Sequence, residues 1–371
     1  MIKHILIIVL SAFFVSITQI DQAYGKYASI VIDAKSGKTL HEINADTKNY
    51  PASLTKMMTL YLLFEALDKG KIKYESYFLV SKRASRRPAS KLGLKAKEKI
   101  SVRNCILALV VKSANDVATV VAENLAGTEK GFARMMTKKA RQLGMKNSYF
   151  KNASGLPNKG QLSTARDLSL MARALIKNFP QYYSFFSIRG FSFKGKKYKN
   201  HNKFLNKYSG ADGIKTGYIH SSGYNLAASA LKNGKRLIAV VTGSKTAKQR
   251  DRHVATLLNK SFKKILPKNP EVPKKRQLNL STKPTIKSDG NWEIQVGAFK
   301  TFTTAHKTAT KAKKQISSIN KKANIFIEPV VKESKTFYRA KIRTLSKIGA
   351  IRSCKKLKKS NFRCVYSQIK K

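Results

Sequence analysis

The sequence predicts an α/β chain in two folded units, and three observations carry that expectation. Strand-like apolar runs open and close the first unit, with a mainly helical stretch between them. A polar, proline-bearing segment follows at 267–290. Beyond it, strand and helix patterns alternate in the order β-α-β-β-α-β, the pattern of a small α+β unit.

The chain has 371 residues, 75 Lys+Arg against 19 Asp+Glu, a formal charge of +56, 42% hydrophobic residues and a mean hydropathy of −0.34. These values exclude a multispanning membrane protein, and the apolar fraction is too high for a disordered polycation. The charge sets the sign of the partner without choosing among nucleic acid, an anionic envelope polymer and a membrane surface.

Met1-Ile2-Lys3-His4 places a cation before the apolar run Ile5 to Ile17, too short for a spanning helix. With the small residues of Ala23-Tyr24-Gly25, residues 1–25 read as a secretory signal, an uncleaved anchor being the alternative. The mature chain then starts at Lys26 with no permanent membrane span. Export argues against nucleic acid as the partner and permits disulfides. Of three cysteines, Cys354 and Cys364 lie ten residues apart and could bridge, whereas Cys105 reads as an inert core thiol. No Cys/His cluster has metal-ligand spacing, so neither metal nor cofactor is expected.

Tyr27–Asp33, the turn Ala34–Lys38 and Thr39–Ile43 form a hairpin. From Leu54 to Lys69, Met57, Met58, Leu60, Tyr61, Leu63, Phe64 and Leu67 recur at helical spacing over much of the circumference, as a buried helix requires. Further helices are expected at Val102–Leu109, Asp116–Leu125 and Lys130–Leu143, the last ended by Gly144. Strands follow at Gly223–Ala230 and, after the Asn233-Gly234 turn, Arg236–Gly243, and a helix at Gln249–Ile265 closes the unit. Past the linker, strands are expected at Trp292–Val296, Ile325–Val331, Tyr338–Ile342 and Arg363–Gln368, with helices after Thr303 and after Lys347. This segment, 291–371, carries 21 Lys+Arg against three Glu, a net +18.

Chemistry enters with Ser53-Leu54-Thr55-Lys56. One helical turn separates the serine from the lysine, so both project from one face. A lysine whose pKa is lowered by burial can take the serine proton and make the hydroxyl a nucleophile. An N-cap serine followed by a solvated lysine fits the same four residues. Ser113-Ala114-Asn115 then offers a second hydroxyl and an amide from a loop, or an ordinary helix N-cap. Lys215-Thr216-Gly217 opens a strand-like segment, or is simply a strand start. Three such signals in this order, within one domain of an exported chain, make coincidence improbable.

Carrying these motifs, the sequence resembles the penicillin-recognising serine hydrolases, in particular the low-molecular-mass D-alanyl-D-alanine carboxypeptidases. Ile32–Leu40, Pro51–Thr59, Asn152–Pro157, Ser163–Leu168 and Asp212–Tyr218 look like that family's sequence blocks, and the likeness spans residues 26–266. It implies a β-lactamase/transpeptidase-like antiparallel sheet with helices on both faces, plus a helical subdomain carrying Ser113 and Asn115. The implied activity is removal of the terminal D-alanine from peptidoglycan stems, with inhibition by β-lactams.

The resemblance implies Ser53 as nucleophile, Lys56 as its base and Ser113 as proton relay. Asn115 would hold the substrate amide, Lys215 and Thr216 the terminal carboxylate, and Gly217 would let the peptide lie along the strand edge. The N–H groups of Ser53 and Tyr218 would form an oxyanion hole. Arg250 resembles the family's additional carboxylate-binding arginine, with a solvated helix-face arginine as the alternative. Ile219 and Ser222 depart from the Thr and Ala often found there. No Glu occurs between Glu129 and Glu271, so the deacylating glutamate of one β-lactamase class has no counterpart. An endopeptidase acting on crosslinks uses the same motifs.

Residues 291–368 resemble the SPOR module, which binds glycan strands stripped of peptides, through Trp292–Phe299, Ala305 and Tyr338–Ile342. That likeness implies Gln295 and Arg339 as glycan contacts and a Cys354–Cys364 bridge tying the last helix to the last strand. A basic module adhering to any polyanion is the alternative. The expected location is periplasmic or associated with the cell wall, the septum included.

Overall fold

A computed structural model describes residues 26–266 and 291–369, except 300, 301, 321, 322, 333 and 334. The expected signal and linker lie outside the described residues. The first hairpin is present as β1 (Ala28–Asp33) and β2 (Thr39–Ile43). Asp33 closes its turn by accepting the Ser36 N–H at 2.7 Å and the Ser36 hydroxyl at 2.8 Å. Next come α1 (Lys56–Asp68), β3 (Tyr77–Leu79), α2 (Lys82–Ser85), β4 (Lys99–Ser101), α3 (Val102–Leu107), α4 (Asn115–Ala126) and α5 (Glu129–Gln142). Ser101 and Thr128 cap α3 and α5 through their hydroxyls, and Gly144 takes a φ of 80° just beyond α5.

Between Gly144 and Gly223 the sequence reading placed only the Lys215-Thr216-Gly217 strand. The structure adds α6 (Ala165–Asn178), an aromatic 3-10 turn at Tyr183–Ser187, the hairpin β5 (Gly190–Phe193) and β6 (Lys196–Lys199), and the short α7 (Phe204–Lys207). The signal for α6 was legible. Thr164 caps it by accepting the Asp167 N–H, and Leu168, Met171, Ala172 and Leu175 are buried at helical spacing.

β7 (Ala211–Ile219), β8 (Gly223–Lys232) and β9 (Lys235–Ser244) complete a five-stranded antiparallel sheet in the order β2-β1-β9-β8-β7. Asn233 and Gly234 both take positive φ, 45° and 73°, which matches the twist of a two-residue hairpin. Alternation sorts the two faces. Val31, Leu226, Ala228, Ala239 and Val241 meet Val254, Leu257, Leu258 and Phe262 of α8 (Ala247–Ile265). Ile30, Ile32, Ala227, Ile238 and Val240 join the cluster that contains α1 and α6. Helix α1 is apolar around nearly its whole circumference because it is enclosed on all sides; Met57 to Phe64 are all buried.

The second unit follows the expected order: β10 (Trp292–Phe299), α9 (Phe302–Gln315), β11 (Asn324–Lys332), β12 (Lys335–Leu345), α10 (Lys347–Lys359) and β13 (Val365–Gln368). Its four antiparallel strands run β11-β12-β10-β13. Ile294, Val296, Ala340 and Ile342 are buried with Ala305, Ala309, Ala350 and Leu357 of the two helices. Cys354 and Cys364 form a disulfide with Cα atoms 5.3 Å apart, and Cys105 is a free, buried thiol whose pKa burial pushes up.

Candidate active site

The alternative in which Ser53 caps a helix and Lys56 is solvated does not hold. Ser53 lies in a 3-10 turn, Ala52–Thr55, that leads into α1, and Lys56 is fully buried. Lys56 Nζ donates to Ser53 Oγ at 3.1 Å, to Asn115 Oδ1 at 2.8 Å and to the Ser154 carbonyl at 2.6 Å. Burial, then the charge of Lys215, hold the Lys56 pKa well below the usual ammonium range, against the opposing pull of Asp116 and Glu129. A neutral amine that spends two protons on Asn115 and Ser154 turns its lone pair to Ser53, the arrangement a base needs to deprotonate that hydroxyl.

Two glycines shape the turn that carries Ser53. Gly155 has φ +84°, and a Cβ placed on it would stand 1.8 Å from the Ala52 carbonyl oxygen and 2.3 Å from its carbon. Asn152 holds this loop by accepting the Ser154 and Gly155 N–H groups at 3.2 and 2.7 Å. Ala52 itself has φ +47°, a strained value for a residue with a side chain, directly before the candidate nucleophile. From the other side, a Cβ on Gly217 would stand 3.1 Å from both the Pro51 oxygen and the Ser53 nitrogen. Lys215-Thr216-Gly217 therefore does not open a strand, as the sequence suggested, but occupies the middle of β7. Gly217 is needed for approach to the Ser53 turn as well as for room along an edge strand.

Ser113 and Asn115 come from an irregular passage. Helix α3 widens into a π turn at Ala108–Lys112, and Ser113 ends it in the left-handed region with φ 57°. The N-cap of α4 is Ala114, so neither motif residue is that helix's N-cap. Asn115 gives its two side-chain protons to the Pro88 and Ala89 carbonyls, each at 3.1 Å, which leaves one Oδ1 lone pair beyond Lys56 for an incoming N–H. Ser113 Oγ is buried and has no hydrogen-bond partner among the described residues, an arrangement that is costly unless a bound molecule supplies the partner. Lys215, expected beside Ser113, is buried, and its Nζ donates to the Thr216 carbonyl at 2.9 Å, since a buried ammonium needs an acceptor at hand.

Arg250 is 4% exposed, which removes the solvated-arginine alternative. It donates to Asp251 Oδ1 at 2.6 and 3.1 Å and to the Asn225 carbonyl at 3.4 Å. A cavity of about 510 Å³ is lined by Ser53, Ser113, Asn115, Gly155, Thr216 and Tyr218. A second, of about 460 Å³, holds Arg250 with Thr216, Gly217 and Tyr218. The backbone of β7 thus runs between the candidate nucleophile and the candidate carboxylate anchor.

Sequence reasoning missed three contributors. Ser154 supplies a carbonyl to Lys56, and only the Asn152–Pro157 block hinted at that loop. Asp116, next to Asn115, accepts the N–H groups of Leu92, Gly93 and Leu94 at 2.9–3.2 Å and so fixes the stretch of chain whose residues 89–91 line the cleft. His201 lines both cavities; burial and the charges of Lys215, Lys112 and Lys56 lower its pKa to about 4. Nothing in the sequence singles out that histidine.

Lys215 has its own pH consequence. Burial, then Arg250, bring its pKa down to about 7, so its ammonium is present below neutrality and lost above it. KM for a peptide ending in a carboxylate is expected to rise several-fold between about pH 6.5 and 9, while an amide-capped analogue shows no such rise. Steady-state kinetics across that range test this, and equal profiles for the two peptides would remove Lys215 from carboxylate recognition.

A family model described as D-alanyl-D-alanine carboxypeptidase matches residues 17–246. The chain is 36% identical over 247 residues to the D-alanyl-D-alanine carboxypeptidase DacF of Bacillus subtilis (strain 168), covering 65% of this chain and 63% of that one. It is 37% identical over 248 residues to DacA of Escherichia coli (strain K12), covering 65% and 62%. The chain thus spans less than two thirds of the length of these curated relatives. Among solved structures, penicillin binding protein 5 from Haemophilus influenzae superposes with a TM-score of 0.62 at 36% identity, over 64% of this chain and 70% of that one. The ampicillin-bound form of Penicillin-Binding Protein D2 from Listeria monocytogenes superposes with a TM-score of 0.59 at 32% identity, over 63% and 96%. A penicillin-binding α/β fold, a Ser–Lys pair at its centre and a family match over more than half the residues lead to one conclusion: the chain belongs to the D-alanyl-D-alanine carboxypeptidase family.

Proposed function

We propose that this chain is a serine-type D-alanyl-D-alanine carboxypeptidase that removes the terminal D-alanine from peptidoglycan pentapeptide stems through an acyl-enzyme on Ser53. The observation that carries the proposal is the buried Lys56 amine, 3.1 Å from Ser53 Oγ and depressed in pKa. Lys56 takes the Ser53 proton, and Ser53 attacks the penultimate D-alanine carbonyl. Ser113 passes the proton to the nitrogen of the leaving D-alanine, the N–H groups of Ser53 and Tyr218 bear the oxyanion, and Asn115 Oδ1 accepts a substrate amide N–H. A water that gives a proton to Lys56 then attacks the Ser53 ester, returning Ser53 as the hydroxyl and releasing the shortened stem. Lys215, Thr216 and Arg250 take the terminal carboxylate.

Rapid hydrolysis of a β-lactam acyl-enzyme relies, in one β-lactamase class, on a glutamate in addition to the lysine, and no Glu lies between Glu129 and Glu271. The nearby carboxylates are otherwise engaged: Asp116 binds backbone N–H groups, and Glu129 is ion-paired to Arg83 and Arg87. Penicillin therefore inhibits rather than being consumed. The β10–β13 unit is read as a SPOR module for glycan strands. Gln295 on β10 and Arg339 on β12 alternate with the buried Ile294 and Ala340, so both stand on the sheet face away from the helices, which supports that reading. The signal-like residues 1–25 support a location outside the cytoplasm, at the cell wall; among the described residues no helix is long and apolar enough to cross a membrane.

Mass spectrometry of a purified pentapeptide muropeptide incubated with the chain from Lys26, with the Ser53→Ala protein as control, tests the proposal. Loss of one alanine, absent in the control, is expected. Cleavage of a crosslinked dimer with the monomer unchanged would make the protein an endopeptidase, and no change in either would leave a wall-binding protein. Deleting residues 291–371 is expected to leave turnover of the soluble muropeptide within about twofold, because no residue of that segment lines either cavity at Ser53 or Arg250. Loss of turnover would make the second unit part of the active site.

A further inference from the structure

The helical side of the second unit carries a surface that neither the proposed chemistry nor the proposed glycan contacts use. Helix α10 buries Gly349, Ala350, Ser353, Cys354 and Leu357 against its sheet. At 3.6 residues per turn, the arc opposite those residues holds Ile348, Ile351, Arg352, Lys355 and Lys359. Ile348 is 53% exposed and Ile351 38%, two aliphatic side chains one turn apart on the same face. Lys355 lies between them around the helix, and Lys356 and Lys358 flank the arc, all exposed. Helix α10 contains no acidic residue, and Arg352, Lys355, Lys358 and Lys359 have no acidic partner among the described residues.

Helix α9 extends this surface. Lys356 Nζ donates to Ser318 Oγ at 3.3 Å and Ser360 Oγ to Gln315 Oε1 at 3.4 Å, so the two helices lie side by side, and α9 adds the exposed Lys307, Lys311 and Lys314. We infer that this face docks on an anionic lipid surface, with the basic residues among the headgroups and Ile348 and Ile351 entering the acyl boundary. Charge complementarity decides the sign of the partner, and the isoleucines decide its class. Nucleic-acid bases and sugars are met by aromatic side chains, whereas acyl chains take aliphatic ones. A helix that bears basic residues around an apolar strip lies in the plane of such an interface. The sheet face, with Gln295 and Arg339, then points away from the membrane.

Vesicle sedimentation of the chain from Lys26 tests this, the first 25 residues being omitted because the run Ile5 to Ile17 would bind lipid by itself. Binding is expected to vesicles containing about 30% phosphatidylglycerol, to be absent with pure phosphatidylcholine, and to weaken steeply with salt. Ile348→Ser with Ile351→Ser should weaken it about tenfold or more. Lys355→Gln with Lys359→Gln should cost about fivefold per cation removed. Both pairs are exposed, and thermal melting by circular dichroism checks that each variant folds. No binding at low salt, binding indifferent to the isoleucines, or binding retained without residues 291–371 would each overturn the inference. So would tighter binding to a double-stranded DNA fragment than to vesicles, unaffected by the isoleucine pair.

Discussion

Ser53→Ala is expected to abolish covalent labelling by a fluorescent penicillin, and Lys56→Met to slow it by about 10³–10⁴-fold at neutral pH. The alanine has no oxygen to acylate. The methionine fills similar space but cannot take a proton, so Ser53 is left as an unactivated alcohol. Because the two residues act as one device, combining the substitutions should cost no more than Ser53→Ala alone. Labelling by Lys56→Met should recover as pH rises, as solvent hydroxide replaces the missing base. Labelling that survives in Ser53→Ala would remove the nucleophile assignment. A rate for Lys56→Met within tenfold of the parent would mean that another group deprotonates Ser53. Asn115 Oδ1 and the Ser154 carbonyl lose a donor in Lys56→Met, so a melting curve must accompany the rate.

Gly155→Ala is expected to damage the site from outside it. The added Cβ would stand 1.8 Å from the Ala52 oxygen, and both atoms are held by backbone, so the contact cannot be relieved by turning a side chain. Either the loop at 152–157 moves, taking the Ser154 carbonyl away from Lys56, or the Ala52–Ser53 peptide moves, taking Ser53 with it. A shift of 1 Å in reacting atoms costs about 10²-fold, and the positive φ adds about 1–2 kcal/mol for any residue with a side chain. Gly127→Ala is the matched control: its φ is +72°, but nothing lies within 4 Å of the added atom. It should pay the backbone cost and keep its acylation rate. If the two variants acylate penicillin equally fast, the close packing of Gly155 on the Ser53 turn does not matter for the site.

The elements legible in the sequence were those whose pattern is local. The continuous apolar circumference of α1, the Asn233-Gly234 turn and the alternation of the last strands each state their structure within about a dozen residues. The motif serines, lysines and glycine were legible because their spacing along one element is part of their chemistry. Less of the middle was read than could have been: α6 carries both a cap and a periodic apolar face. The π turn before Ser113 was not legible, since nothing in Ala108–Lys112 distinguishes a π turn from continued α-helix.

By itself the sequence determined the elements whose pattern is local, the order of those in the second unit, and the pairing of Ser53 with Lys56 on one face of a helix start. Tertiary structure decided the environment of that pair. Burial of Lys56 among the Asn115 and Ser154 oxygens and near Lys215 is what lowers its pKa, and those groups come from positions 59, 98 and 159 residues away along the chain. The same holds for Gly155 and Gly217, which the sequence marks only as turn or strand residues and which the fold presses against the Ser53 backbone from two sides. A local pattern specifies which side chains share a face. Dielectric, charge and close contact depend on what folds back onto that face, and only the assembled chain contains that information.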